Sequence, residues 1–472
     1  MTEPCDLSAV AARRLIGNKS LSPVELLASC LKRIAATNPT SNAIVAMDEP
    51  LARKNATLAE KQVMRGDALG LLHGLPTAIK DLHPVAGLRT TSGSLIFKDH
   101  VSDADDLMVS NLRAAGANIF AMTNVPEFGA GANTRNRLYG ATTNPFDARL
   151  TPAGSSGGSA VALALGQVPV ATGSDVAGSL RTPAGFCGIV GFRPSPGVVP
   201  GPDRPAGLIP WGVYGPMGRT VEDAYLQLRA MIDVDAGDPF SSSDALDFPD
   251  ALVPADLGSI RVRFSVDLGV CPVDNDIARV FRARVKALAP HFGPADDAEI
   301  DFSGVHDIYD VHRGLSFVIS HQDKLATHQK LLDRNVIDNT ERGLKLTVEQ
   351  IARAYAGQHT LYKRVLNYFD DVDVVITPAA AVSPFPHEQL YVEEINGTPM
   401  PLYTSWLALA YAPTTALCCA AVVPCGLDHK GMPFGLQIFA PKGHDLRVLE
   451  VALALEQVMA GTDMQRPVPK VG

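Results

Sequence analysis

Apolar positions along the first third of the chain switch between two periods. Leu27, Cys30, Leu31 and Ile34 recur at three- and four-residue spacing behind Ser22-Pro23-Val24-Glu25. A Ser cap followed by Pro at the first helical position starts a helix there, with one face packed. Short apolar runs at Asn42–Met47 and Pro76–Lys80 predict strands, the second ending in a charge, and an Ala- and Lys-rich helix over Leu51–Met64 separates them. Asp105–Ala115 is amphipathic, Gly116 caps it, and Asn118–Met122 is a strand again. This strand–helix–strand rhythm argues for a sheet with helices on both faces.

From Gly140 to Pro216 the periodicity weakens and Gly, Pro, Ser and Thr dominate. Leu150–Ser174 carries no charge, which predicts a buried loop, helix and strand rather than a surface loop. A helix follows at about Val221–Ile232. The composition then turns to Asp, Ser and Pro, marking a surface excursion at about 233–258. Beyond it come a strand at Ile260–Ser265, a helix at Asp276–Leu288, a helix-rich region over about 305–372 and a strand at Val372–Thr377. Leu402–Leu427 is long enough to cross a membrane, but Pro413, Pro424 and Gly426 break it, so it reads as a buried helix followed by a buried strand. Gly435–Phe439 and Arg447–Met459 read as a final strand and helix. At about 150 residues per domain the length would allow three domains. No linker is long or polar enough to force a division, so residues 1–472 are read as one domain.

Composition narrows the functional classes. With 46% hydrophobic and 19% charged residues the chain has material for a large core, which excludes disorder. Its 41 basic and 50 acidic residues give a net charge of −9, so neither nucleic acid nor an anionic membrane is an expected partner. The seven Cys are odd in number, irregularly spaced and without a C-x-x-C pair, as expected of reduced thiols. The N-terminal sequence lacks the apolar run of a signal peptide, so a cytoplasmic location is expected. His306/His312 and His321/His328 are six and seven residues apart, whereas helical metal pairs sit at four. They are read as helix-surface or pocket-rim histidines, and no metal site is expected.

The candidate chemistry lies in two turns. One is Gly154-Ser155-Ser156-Gly157-Gly158-Ser159; the other is Gly173-Ser174-Asp175-Val176-Ala177-Gly178-Ser179-Leu180-Arg181. Three readings compete. A phosphate cradle would use the Gly-rich backbone, but no G-K-[ST] or G-x-G-x-x-G accompanies it. A nucleophile elbow fits G-x-S-x-G with Ser156 as the nucleophile, and His306, His321, His359 and His444 lie downstream; however, Leu150-Thr151-Pro152-Ala153 before it does not look like a buried strand. The third reading joins both turns to Lys80 in Gly74-Leu75-Pro76-Thr77-Ala78-Ile79-Lys80-Asp81.

With these segments the chain resembles the amidase signature family. The block Ala153–Pro183 is similar to that family's defining pattern. Thr123–Phe128 (TNVPEF), Gly140–Asp147, Gly191–Gly197, Gly215–Asp223 and Pro433–Pro441 are similar to further family segments in the same order. The resemblance implies a single large α/β domain, a mixed twisted sheet covered by helices on both faces, with the signature core over about 65–230. It implies a hydrolase of carboxamide C–N bonds that needs no cofactor and takes a small-molecule amide or carbamate. It also implies a Ser-cisSer-Lys triad: Ser179 the nucleophile, Ser155 the bridging Ser on a cis peptide, Lys80 the base. The oxyanion hole would be the backbone amides of Val176, Ala177, Gly178 and Ser179.

The chemistry is coherent in itself. A Ser hydroxyl needs an adjacent base, and a Lys is a base only when neutral, which burial in an apolar strand favours. Ala177 and Ala153 stand where the family usually has Gly, and Ser174 where it has Thr. Ala177 adds a methyl group beside the acyl site. Asp175, Arg181 and Ser156 are expected to support the turn rather than react, because charges there are costly unless paired. Asp81 is expected to face away. Gly129, Ala130, Gly131 and Thr91 are expected near the substrate. Trp211, Tyr214 and Trp406 are candidate pocket walls or plain core, and the stretches 305–345 and 380–415 are expected to shape the pocket. The apolar residues of 402–427 lean toward an apolar or aromatic acyl group. The related alternatives are hydrolysis of a carbamate, urea-type or ester bond with the same triad, and the glutamine-hydrolysing component of an amidotransferase. A dead scaffold used only for binding is the remaining class, and the intact Lys80, Ser155 and Ser179 argue against it. A homodimer is the base-rate expectation.

Overall fold

The computed structural model describes residues 3–243 and 247–470. Residues 244–246, inside the predicted excursion, and the two residues at each end lie outside that description. The first strands are β1 (Ile44–Met47), β2 (Pro76–Lys80), β3 (Asn118–Thr123), β4 (Arg135–Asn136), β5 (Gly140–Ala141), β6 (Val170–Asp175), β7 (Val190–Arg193) and β8 (Val213–Gly218). They continue with β9 (Val262–Phe264), β10 (Ala295–Asp297), β11 (Val374–Pro378), β12 (Glu394–Ile395), β13 (Thr398–Pro399), β14 (Cys419–Leu427) and β15 (Pro433–Ala440). The N-terminal helices are α1 (Ala9–Gly17), α2 (Pro23–Ser41), α3 (Glu49–Arg65), α4 (Leu107–Ala114), α5 (Gly157–Ala164), α6 (Arg181–Cys187) and α7 (Val221–Met231). After them come α8 (Asn275–Leu288), α9 (Val305–His328), α10 (Arg334–Leu344), α11 (Val348–Tyr368), α12 (Ala408–Thr415) and α13 (Asp445–Met459).

Eleven strands form one sheet in the order β1-β3-β2-β6-β8-β7-β14-β15-β11-β9-β10. The sheet is mixed, as expected. β2 pairs in parallel with both β3 and β6, whereas β8, β7, β14 and β15 pair antiparallel. Every residue of β2 and β3 is buried, as in sheets covered on both faces. Because β2, β3 and β6 run the same way, Lys80, Thr123 and Asp175 end together at one side of the sheet. The crevice outside the carboxyl ends of parallel strands is where α/β folds place ligands.

The predicted elements appear with boundary shifts of a few residues. Ser22 caps α2 through a complete capping box with Glu25. Leu402–Leu427 splits into the buried helix α12 and the strand β14, and no helix among the described residues is long and apolar enough to cross a membrane. All seven cysteines are unpaired.

The weakly periodic stretch 140–216 is where the structure exceeds the sequence reading. It holds α6 and two central strands, β7 and β8. These strands contain Gly because neighbouring backbone passes too close for a side chain. A Cβ on Gly191 would lie 2.4 Å from the Leu180 carbonyl oxygen, and one on Gly215 would lie 2.3 Å from that of Phe192. Gly at such positions erases the alternation that marks a strand. Gly191→Ala should therefore destabilise the protein by about 1–3 kcal/mol, read as a lower melting temperature in calorimetry.

Candidate active site

Lys80 is fully buried at the end of β2. Its backbone N–H donates to Thr172 Oγ1 on β6 (3.0 Å), which fixes the strand end. Its Nζ lies 2.8 Å from Ser155 Oγ, 2.8 Å from Ser156 Oγ and 2.9 Å from Ser174 Oγ, with the Ser174 carbonyl at 3.3 Å. Among the described residues no carboxylate bonds to it. Burial pushes the amine down to about 7, against the smaller opposing pull of Asp175.

Ser155 follows a cis peptide bond from Gly154. Ala153, two residues before Ser155, has φ +62°, the left-handed region that favours Gly. The two turns are joined directly, because the Ser156 amide donates to the Ser179 carbonyl (3.2 Å). Ser155, Ser174 and Ser179 open into the same cavity of about 280 Å³.

The turn carrying Ser179 is built on Asp175. One carboxylate oxygen accepts from the Gly178 amide (3.0 Å) and the other from the Leu180 amide (3.1 Å). Arg181 donates to both oxygens (2.9 and 3.0 Å), and Arg193 reaches one at 3.3 Å. Burial alone would raise the Asp175 carboxyl; the Arg181 and Arg193 guanidiniums and the Gly178 amide outweigh it and hold it well below the usual range. Arg181 also donates to Ala410 O, Gln437 Oε1 and Thr414 Oγ1 at 2.7–2.8 Å, tying the turn to α12 and β15.

This cluster also corrects the expectation of four free amides. Gly178 N–H is taken by Asp175, while the amides of Val176, Ala177 and Ser179 meet no acceptor among the described residues. These three residues line the cavity.

Two competing readings lose their footing. Ser156 is fully buried, does not line the cavity and directs its hydroxyl to Lys80. The chain before it is not a strand, and none of the four candidate histidines is bonded to it. A phosphate at the start of α5 would need free amides, but Gly157 N–H donates to Thr134 Oγ1 (3.1 Å) and Gly158 N–H to Asn124 O (3.2 Å).

Other expected residues divide. Asp81 does face away, accepting from the Thr91 hydroxyl (2.5 Å) and amide (2.7 Å); burial raises its carboxyl to about 6 against those bonds. That contact removes Thr91 from the substrate region, since its hydroxyl is spent on Asp81 and it is fully buried. Gly129 and Gly131 line the cavity, but Ala130 between them packs on Phe317, Leu332 and Val336. Trp211 is a cavity wall. Tyr214 instead packs on His83, and Trp406 on Phe186 and Phe385. Of the histidines, His321 lines the cavity; His312 is neither surface nor rim, but buried between Trp211 and Tyr355.

The stretch 305–345 does shape the pocket, though apart from His321 the sequence did not single out which of its residues line it. Arg313, Ser316, Phe317, Ser320 and His321 of α9 all face the cavity. Their spacing of three, one, three and one is the stripe of a single helix face, so the signal was present in the 305–372 region. Arg193 was not legible either, because nothing in its local sequence shows that it reaches Asp175.

The amidase family model matches residues 25–449, so the chain belongs to the amidase family. A similar protein is an acylamidase of Rhodococcus erythropolis, 32% identical, covering 97% of this chain and 96% of its own length. One component of the glutamyl-tRNA(Gln) amidotransferase of Roseiflexus castenholzii is 30% identical over 100% and 99% of the two chains. Among solved structures, a bacterial aryl acylamidase superposes with a TM-score of 0.89 at 27% identity, covering 96% of each chain. The protein is thus an amidase-signature hydrolase with a single α/β domain.

Asp175→Asn would leave Arg181 and Arg193 buried without a countercharge. A loss of about 3–5 kcal/mol of stability is expected, read as a large drop in melting temperature with the variant still expressed.

Proposed function

We propose that the protein is a stand-alone amidase that cleaves a small-molecule carboxamide through an acyl-enzyme on Ser179. The observation that carries this is the buried Lys80 amine, surrounded by hydroxyls rather than carboxylates and 2.8 Å from a Ser155 that shares its cavity with Ser179. An amine near 7 is neutral in a substantial fraction of molecules at neutral pH and can accept a proton.

Ser179 Oγ attacks the carbonyl carbon as its proton passes to Ser155 Oγ, and the Ser155 proton passes to Lys80 Nζ. The tetrahedral oxyanion is received by the free amides of Val176, Ala177 and Ser179. Such donors are typically worth about 10²–10³ in rate each. Reversal of the relay protonates the nitrogen, which leaves as amine or ammonia. Water then attacks the acyl-Ser179 ester by the same route and releases the carboxylate. Ser156 and Ser174 hold Lys80 Nζ in place through its remaining hydrogen bonds. Asp175 with Arg181 and Arg193 holds the turn.

Phe128, Ile209, Trp211, Phe317 and Leu407 give the cavity apolar walls, which supports an apolar or aryl amide. The likeness to an acylamidase and an aryl acylamidase supports the same class. Carbamates and esters pass through the same oxyanion and are natural comparators. The equally extensive likeness to an amidotransferase component makes glutamine the second substrate to test.

An acyl anilide, an aliphatic amide, an aryl carbamate, an aryl ester and glutamine should be assayed without metal or ATP. Anilide turnover that falls by at least about 10⁴-fold in Ser179→Ala is expected. Release from glutamine alone, or activity only with a partner protein, would replace this reading with the amidotransferase one. Activity that survives Ser179→Ala would remove the nucleophile assignment. For pH, kcat/KM should rise as Lys80 loses its proton, with an apparent midpoint at about 7 and a tenfold fall per unit below it. A profile flat from pH 5 to 8 would rule out Lys80 as the base. The same depression has a stability consequence: the folded chain binds fewer protons than the unfolded chain between about 7 and the ordinary Lys value of 10.5. This group's penalty is therefore complete below pH 7 and is relieved as pH rises toward 10.5.

A further inference from the structure

The cavity beside Ser179 has an unbalanced charge. Its basic lining residues are Arg204, Arg313 and His321, and no carboxylate among the described residues lines it. Arg204 is neutralised by Asp238 at 2.8 Å. Arg313 is not neutralised. It is nine-tenths buried, yet its side chain has only uncharged partners: Nε donates to Asn339 Oδ1 (3.1 Å) and Nη1 to the Tyr309 hydroxyl (3.3 Å). The rings of Phe317 and Tyr403 flank the guanidinium at 4.7 and 5.2 Å. Asp310, three positions earlier on α9, is instead paired with Arg342 at 3.2 Å. Nη2 has no hydrogen-bond acceptor among the described residues.

A buried cation without a countercharge is costly, and proteins seldom keep one that nothing pairs. Here its flanking rings and neutral acceptors hold the planar fork still, and a carboxylate entering the cavity would complete it. A rigid guanidinium matches a carboxylate with two parallel hydrogen bonds. The rest of the cavity is apolar or hydroxylic, so this anion would be the one charged feature of the ligand.

We propose that the substrate is an amide with a hydrophobic body and a carboxylate, and that Arg313 on α9 receives that carboxylate while the amide carbon lies at Ser179. This rests on the amidase reading and extends it to a substrate class, amides of apolar amino acids or diacids. Arg313 is then a specificity-determining residue.

Two matched pairs place the charge on either side of the scissile bond. N-phenylsuccinamic acid against N-phenylbutanamide puts it on the acyl side, and 4-acetamidobenzoate against 4-acetamidotoluene on the amine side. In the wild type the carboxylate member of one pair should have kcat/KM about 10- to 100-fold above its neutral partner. That ratio should collapse toward one in Arg313→Gln and be partly kept in Arg313→Lys. Independently of turnover, calorimetry on Ser179→Ala should show 3-phenylpropionate binding at least about tenfold more tightly than 3-phenylpropanol. Neutral anilides turned over as well as their carboxylate partners, with equal binding of acid and alcohol, would overturn the proposal and leave the amidase reading standing. Preferential acid binding without hydrolysis of any amide would overturn the amidase reading and the amide substrate with it, leaving only Arg313 as the carboxylate receiver. If Arg313→Gln does not fold, the wild-type ratios and the binding pair still decide the question.

Discussion

A lysine amine sealed inside the sheet sets the terms for everything around it. Lys80 Nζ has no exposed surface and no carboxylate bonded to it among the described residues, so its charged form is disfavoured and its hydrogen bonds come from hydroxyls and one carbonyl. Those groups come from two turns, one leading into α5 and one leaving β6. The first turn is made of the small residues of Ala153–Ser159, which let it come that close. The second turn, leaving β6, contributes Ser174 and carries Ser179 to the same cavity.

An amine whose charged form burial disfavours and a strongly ionised carboxylate lie within one small volume, and the structure keeps them apart by giving each its own partners. Asp175 is saturated by two guanidiniums and two backbone amides, which hold its charge and leave little field to restore that of Lys80. The same bonds use up the Gly178 and Leu180 amides, while those of Val176, Ala177 and Ser179 meet no acceptor among the described residues. Ion-pair energetics and the shape of the turn that carries Ser179 are thus one arrangement. Its reach is long in sequence: Arg181 binds groups on α12 and β15 more than 220 positions away.

The cavity divides between a common part and an individual part. Its floor comes from the segments that resemble the amidase family. Its opposite wall is a face of α9, with Arg313 and His321 set among aromatic rings. Burial lowers His321 to about 4, with Lys324 and Arg313 adding to the effect, so that wall holds one charge at neutral pH, the Arg313 guanidinium.

How far the sequence reached follows from the range of the forces involved. Period and capping are local, so α2, α3, β2, the α4–β3 unit and the α12–β14 split were legible. β7 and β8 were not, because Gly191 and Gly215 answer to a neighbouring backbone rather than to a pattern of their own. The Lys and the two serines could be named because their motifs are compact. Thr91 and Ala130 could not be placed correctly, since adjacency in sequence does not say whether a side chain turns toward a cavity or toward Asp81 and Phe317. The sequence by itself determined the class of protein, the helices and strands with clear periods, and the residue types available for chemistry. Only the tertiary structure decided that Asp175 consumes the Gly178 amide and pairs with Arg193, and that Arg313 reaches the cavity with no carboxylate partner among the described residues. Those outcomes depend on which distant segments share a low-dielectric space, and no local run of residues encodes that.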